Sequence, residues 1–171
     1  MAIMSYSNAS SELHIRAITT NDYPALKRFA NCLLREHVHL TVTKSKIAKF
    51  VEKSNQIMLI AEIRGELVGV ISAKKPSATP QACYWLELFV GSNWRKKGIG
   101  KNLLQSLLIK CHLNKKIQCL SLSVKRNNKI AIELYLKHGF KKKFNFTSLF
   151  SPVIDMELNI NSKKSIFEES N

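Results

Sequence analysis

No apolar run in the 171 residues approaches the roughly 20 needed to span a bilayer. The opening stretch MAIMSYSNASSELH has neither a basic start nor an uninterrupted apolar core. Together these absences predict a soluble, unprocessed chain with no membrane partner. Cysteine motifs are missing as well. Cys32, Cys83, Cys111 and Cys119 lie far apart, with no CxxC pair and no histidine at zinc-site spacing, so neither a disulfide framework nor a structural metal is expected, and a reducing cytoplasm suits them. Acidic residues are scarce. Twelve Asp and Glu face 27 Lys and Arg, a formal charge of +15 that favours anionic partners: nucleic acid, acidic membrane surfaces or phosphorylated cofactors. The cations are spread along the chain and are not interleaved with aromatics as on a single-strand-binding platform, so a generic solvated basic surface stays open beside those partners. No internal repeat is visible.

What is present fits one compact domain, residues 1–158, with a polar tail over 159–171: 45% of residues are apolar and 23% charged, and a second full domain has no room. His14–Thr19 is β-prone, and Asn21, Asp22 and Pro24 then mark a helix start. Leu26, Phe29, Ala30, Leu33 and Leu34 recur at helical spacing and form an apolar stripe. A second helix is expected from Thr43 to Lys53 around Ile47, Phe50 and Val51, with Thr43 as cap. Ile57–Ile63 and Leu67–Ala73 read as two strands joined at Arg64-Gly65-Glu66. After a proline-bearing loop, Cys83–Val90 is the most apolar strand. Ile99, Leu103, Leu104, Leu107, Leu108 and Cys111 define the strongest amphipathic helix. Ile117–Val124 reads as a strand, Asn128–His138 as a helix ending at Gly139, and Phe140–Phe146 and Val153–Leu158 as two last strands. The order β-α-α-β-β-β-α-β-α-β-β implies an α/β or α+β architecture around one mixed sheet.

The chemistry gathers first at Arg95-Lys96-Lys97-Gly98-Ile99-Gly100-Lys101, between the buried strand and the strongest helix. The amides at a helix start lack intrahelical acceptors, and the helix dipole makes that end positive. Four cations there make physical sense if a polyanion such as a pyrophosphate occupies the turn, and Gly98 and Gly100 would let backbone approach it. A solvated basic loop is the alternative. A Walker-type loop is excluded because Arg95 and Asn102 stand where it needs Gly and Ser or Thr, and a dinucleotide fingerprint because Leu103 is too large. Glu87 is the only acid in the strand CYWLELFV. It either faces a cleft as a general base or contacts water or a lysine near the sheet's exposed side. His37 and His39 cannot share a helix face and read as surface residues, as does His138. The run Lys141-Lys142-Lys143 reads as a solvated strand edge.

The segment R-K-K-G-I-G resembles the Arg/Gln-x-x-Gly-x-Gly/Ala turn of the GNAT N-acetyltransferases, and it follows Leu88-Phe89-Val90 as theirs follows a strand. A second segment, from Asn128 through Ala131 and Tyr135 to Gly139-Phe140, is similar to that family's Asn-x-x-Ala-hydrophobic-x-hydrophobic-Tyr-x-x-x-Gly-Phe run. Similarity spans about His14 to Leu158. Ser92 departs from the pattern, since many members carry proline there.

The resemblance implies the GNAT fold and acetyl transfer from acetyl-coenzyme A to a primary amine of a small molecule or peptide, by direct attack on the thioester and without a metal. It implies that Leu88, Phe89 and Val90 pair through backbone with the pantetheine arm. It further implies that Arg95, Lys96, Lys97, Gly98, Ile99, Gly100 and Lys101 receive the pyrophosphate and that Asn128 helps fix the cofactor. Tyr135 takes the family's general-acid position, protonating the departing thiolate, against the plainer reading of a core aromatic. Another reading of so basic a chain is a GNAT-like module that binds nucleic acid or the ribosome, with weak or protein-directed transfer. The acceptor amine itself is not written in these motifs; its choice is expected in Glu36–Thr43 and Phe144–Pro152.

Overall fold

The computed structural model describes residues 13–36, 38, 40–52, 56–76, 83–143 and 151–160. Seven strands and four α-helices follow in chain order: β1 Leu13–Ala17, α1 Tyr23–Arg35, α2 Lys44–Glu52, β2 Ile57–Ile63, β3 Glu66–Lys74, β4 Cys83–Val90, α3 Ile99–Leu113, β5 Cys119–Lys125, α4 Lys129–Lys137, β6 Lys141–Lys142 and β7 Val153–Asn159. Short 3-10 turns at Thr20–Asp22 and Ser92–Trp94 precede α1 and α3. This is the expected element order. The strands form one mixed sheet in the order β1-β2-β3-β4-β5-β7-β6, with β4 and β5 parallel and the β1–β2, β5–β7 and β6–β7 pairs antiparallel.

The chain divides into two compact units. The first comprises Met1–Ser54, Met58–Ile71 and Leu88–Ser106; the second comprises Asn55–Ile57, Ser72–Glu87 and Leu107–Asn171.

In the first unit, Leu26, Phe29 and Leu33 of α1 and Ile47 of α2 form one apolar cluster with Ile18, Ile60, Leu67 and Val70. The helical stripe is narrower than its sequence suggests. Leu34 is 51% and Val51 47% exposed, because each lies at the flank of its helix rather than over the cluster. Asp22 does not cap α1 with its side chain. Its carboxylate instead accepts from Thr19 N–H at 2.7 Å and takes both Nη groups of Arg16, at 2.7 and 2.8 Å. That pairing holds the Asp22 carboxyl down at about 2. Thr43 caps α2 as expected, its hydroxyl accepting from Lys46 N–H at 3.1 Å. The β2–β3 hairpin turns on Arg64 and Gly65 at φ of 50° and 76°, the left-handed pair that matches the twist of two antiparallel strands.

The second unit contains the long β5–β7 ladder, Cys119↔Asn159 through Lys125↔Val153. Leu120, Leu122 and Val124 of β5 and Met156 and Leu158 of β7 are buried at alternate positions, as a half-covered sheet requires. Lys141 and Lys142 stand exposed on the edge strand β6, where cations discourage further pairing. The rest of the expected last hairpin, residues 144–150, lies outside the described residues, as do His37 and His39.

The cysteine expectation is overturned. Cys83 and Cys119 are joined by a disulfide. They are 36 residues apart in sequence but are register partners at the start of the parallel β4–β5 ladder, a proximity that no local spacing reveals. Cys32 and Cys111 are free thiols. Among the described residues no helix is long and apolar enough to cross a membrane.

Candidate active site

In the first unit, β4 runs into the basic turn. The β4–β5 ladder covers only Cys83–Trp85, so Leu86 to Val90 lie beyond it. The alternation of buried and half-buried residues ends there too: Glu87, Leu88, Phe89 and Val90 are all half-buried. Backbone polar groups on that side of Leu88–Val90 have no ladder partner in β5, as required of a strand that is to pair with a ligand instead.

The turn is shaped for close approach. Lys96 and Gly98 have φ of 61° and 80°, and a Cβ placed on Gly98 would meet nothing within 4 Å. The helical bond from Asn102 N–H to the Gly98 carbonyl closes the first turn of α3, which leaves the amides of Ile99, Gly100 and Lys101 without helical acceptors. Arg95, Lys96, Lys97, Gly98 and Lys101 are exposed, whereas Ile99 is buried and anchors the helix start. Gly69 lets α3 seat there: a Cβ on it would lie 3.0 Å from Leu103 Cδ1, 3.2 Å from the Phe89 carbonyl and 3.3 Å from Ile99 Cγ2.

The four cations are not equivalent, a distinction that the sequence did not supply. Arg95 turns back on its own strand: Nε donates to the Val90 carbonyl at 3.1 Å and Nη2 pairs with Glu36 at the end of α1. Lys97 Nζ sits over the Trp94 ring, 4.9 Å from its centroid. Lys96 and Lys101 have no such partner among the described residues. Ser92, where the chain departs from the family pattern, acts on Glu36. Its hydroxyl is the leading cause of a lowered Glu36 carboxyl pKa, with Arg95 and the Ser92 N–H adding to the effect. Proline could supply neither donor. Beside α1 a cleft of about 540 Å³ opens within the same unit, bounded in part by Arg28, Phe29, Glu66, Gly91 and Trp94.

Tyr135, Asn128 and Glu87 belong to the second unit. Asn128 is the N-cap of α4, its Oδ1 accepting from Ala131 N–H at 3.2 Å. The other end of α4 closes with Gly139 at φ 85°, Gly139 N–H bonding the Leu136 carbonyl at 2.9 Å and Phe140 N–H the Tyr135 carbonyl at 3.0 Å. This paired closure brings Phe140 against Tyr135, with ring centroids 5.4 Å apart and planes at 59°. The Tyr135 ring is buried, its hydroxyl makes no hydrogen bond among the described residues, and burial pushes its pKa up to about 12. Glu87 is paired with Lys74, Nζ to Oε2 at 2.9 Å, and is one-third exposed.

The donor set fits a phosphorylated thioester carrier: free amides and lysines lie at the α3 start, and a strand end without a β5 partner precedes them. Comparison with known proteins identifies the family. Residues 20–140 match the acetyltransferase (GNAT) family. An L-amino acid N-acetyltransferase, AaaT of Escherichia coli K12, is 25% identical over 141 residues, covering 77% of this chain and 84% of its own. A GNAT-family acetyltransferase from Streptococcus pneumoniae superposes with a TM-score of 0.75 at 23% identity, covering 86% of this chain and 99% of its own. The PaiA N-acetyltransferase of Thermoplasma acidophilum, solved with coenzyme A, gives 0.66 at 22% identity, with 86% and 98% covered. This chain therefore belongs to the GNAT acetyltransferase family, as an N-acetyltransferase whose donor is acetyl-coenzyme A.

Proposed function

We propose that the chain moves the acetyl group to a primary amine of a small molecule or a peptide, by direct attack of the amine on the thioester. The observation that carries this reading is the α3 start, where three free amides, Lys96 and Lys101 surround a glycine with open space over it. A diphosphate seated on that turn gains both hydrogen bonds and the favourable end of the helix dipole. Acetyl-coenzyme A supplies an activated acyl group and a thiol leaving group. The chain's own part is to place and polarise it. Backbone N–H groups of Leu88 to Val90, free of the β5 ladder, hold the arm and stabilise the charge that develops on the carbonyl oxygen.

Tyr135 keeps its proton across the whole physiological range, which suits a donor to the departing sulfur. Asn128 uses Oδ1 to cap α4, leaving its amide N–H groups for the cofactor arm. We assign the removal of the ammonium proton to Glu87, directly or through water, with Lys74 as the group that must release it. Lys97, engaged with Trp94, and Arg95, which braces Val90, support the turn more than they cover it.

For the acceptor, L-amino acids come first. The E. coli relative is named for them, and the cleft beside α1 offers Arg28 to a carboxylate and Glu66 to an ammonium. The test is an amine panel that follows release of the coenzyme A thiol, with mass spectrometry of the products. An acetylated amine at catalytic turnover is expected. If acetyl-coenzyme A is not consumed with any amine or peptide, the reading falls. The charge of +15 favours one second reading, a nucleic-acid- or ribosome-associated module, for which salt-sensitive retention on a polyanion without turnover is the signature.

A further inference from the structure

Three donor groups that the transfer chemistry does not use come together in the second unit. Cys83 opens β4 and Cys119 opens β5, directly opposite each other in the parallel ladder. Glu157 on β7 lies two residues before Asn159, the register partner of Cys119, and so shares a sheet face with it as a diagonal neighbour. One donor atom from each, the two Sγ and a carboxylate oxygen, all fall within 4.8 Å of one another, and all three residues are half-buried. The sulfurs are bonded in this structure.

We propose that, in the reduced chain, Cys83, Cys119 and Glu157 bind one thiophilic divalent cation of the zinc class. Two thiolates with one carboxylate select zinc-like ions over magnesium or calcium, which prefer oxygen alone. Three protein ligands leave a fourth tetrahedral position for water. Access exists: all three residues are partly exposed, and Glu157 also borders a cleft of about 360 Å³ with Gly139, Lys141, Lys142 and Lys143. Lys143 Nζ lies 2.6 Å from Glu157 Oε2, so a cation already partners this carboxylate and offsets the negative charge gathered by two thiolates. The β5–β7 ladder holds Cys119 and Glu157 in fixed register, so little order must be created on binding. Ligands separated by 36 and 38 positions carry no local signature, which is why the sequence pattern is silent about them.

The disulfide and the metal site are alternative states of the same sulfurs. Reducing the bond takes two electrons and two protons and gives two thiols; the incoming cation then displaces those two protons and forms two metal–sulfur bonds. Both states tie β4 to β5, so the exchange leaves the strand pairing in place.

The test uses the full chain with Cys32→Ser and Cys111→Ala, so that only the two site thiols remain. A phosphine reductant opens the disulfide, becoming phosphine oxide, and cobalt(II) is titrated without oxygen. One equivalent should produce near-ultraviolet thiolate-to-cobalt absorption, bleached by zinc. Glu157→Gln should weaken cobalt affinity at least about tenfold, a lost ligand costing no less than a lost supporting contact. Cys83→Ser or Cys119→Ser should abolish the absorption. Its absence from the reduced chain, its persistence in the Cys83→Ser/Cys119→Ser pair, or its presence before reduction would each overturn the proposal. Should the two background substitutions unfold the chain by circular dichroism, the wild-type chain and the Cys83→Ser/Cys119→Ser pair decide it by the same absorption.

Discussion

Replacing Tyr135 by phenylalanine removes one oxygen that no described residue hydrogen-bonds, and it keeps the ring that packs 5.4 Å from Phe140. Folding stability should therefore change by no more than about 0.5 kcal/mol, the range of substitutions that break no contact. The chemistry should respond differently. A positioned proton donor contributes about 10²–10⁴ to a rate. A thiolate with a reference thiol pKa of about 8.5 leaves tolerably well unprotonated, which puts the expected loss at or below the low end of that range. We expect kcat to fall about 10- to 100-fold, roughly 1.4–2.7 kcal/mol of barrier. Because burial raises the Tyr135 pKa to about 12, the phenol stays protonated well beyond pH 9, and the ratio of wild-type to variant rate should be flat from pH 7 to 9. The assay measures thiol release over a range of acetyl-coenzyme A concentrations, with single-turnover mixing to isolate the chemical step and circular dichroism to verify folding. An unchanged single-turnover rate would refute the general-acid role and leave Tyr135 as a core aromatic. A raised KM with kcat intact would move its role to binding.

Acetyl-coenzyme A at about 100 times its Kd should stabilise the chain by about 2.7 kcal/mol, read as a rise in Tm; a silent thermal shift together with silent calorimetry would remove the α3 start as its site. Gly100→Val, in the first turn of α3 at a helical φ, should leave Tm nearly unchanged while weakening that binding at least tenfold, and normal binding would reduce the turn to a helix start. Gly69→Ala should cost about 1–3 kcal/mol in urea unfolding, since the new methyl meets the Phe89 carbonyl and the Leu103 and Ile99 side chains at 3.0–3.3 Å; a neutral result would mean that α3 shifts freely. Asp22 has a lowered carboxyl pKa, so its contribution is present above pH 4 and lost as pH falls from about 4 toward about 2. With Arg16 41% exposed, that contribution is discounted to about 1–2 kcal/mol, and the stability gap between wild type and Asp22→Asn should narrow over this range. A gap that stays constant would refute the ion-pair origin.

Periodicity made α3 legible, because Ile99, Leu103, Leu104, Leu107, Leu108 and Cys111 must share a face and all are buried. It overreached at Leu34 and Val51, since spacing gives the stripe but not where the neighbouring elements stop covering it. The residue pattern around Tyr135 was legible as a family segment; its physical content, a cap at Asn128 and a glycine closure that sets Phe140 on the ring, needed coordinates. Counting charge assigned Arg95 to the turn. Its direction is decided by Glu36, 59 positions away, and by the Val90 carbonyl, neither of which a linear reading weighs. The same holds for Glu87, whose lysine contact was foreseen as a type but whose partner, Lys74, comes from the adjacent strand.

The Cys83–Cys119 bond also changes the topology of the chain from a line to a line bearing a ring. The ring runs out along β4, through the basic turn and the whole of α3, and back to β5, so Leu88–Val90 and Arg95–Lys101 all lie on its circumference. Chain-entropy arguments give a ring of this size about 4 kcal/mol of restraint on the unfolded ensemble. A single peptide cut anywhere on the circumference releases no fragment. The two ends stay tethered through sulfur, and a nicked molecule keeps its full mass until a reductant separates the pieces.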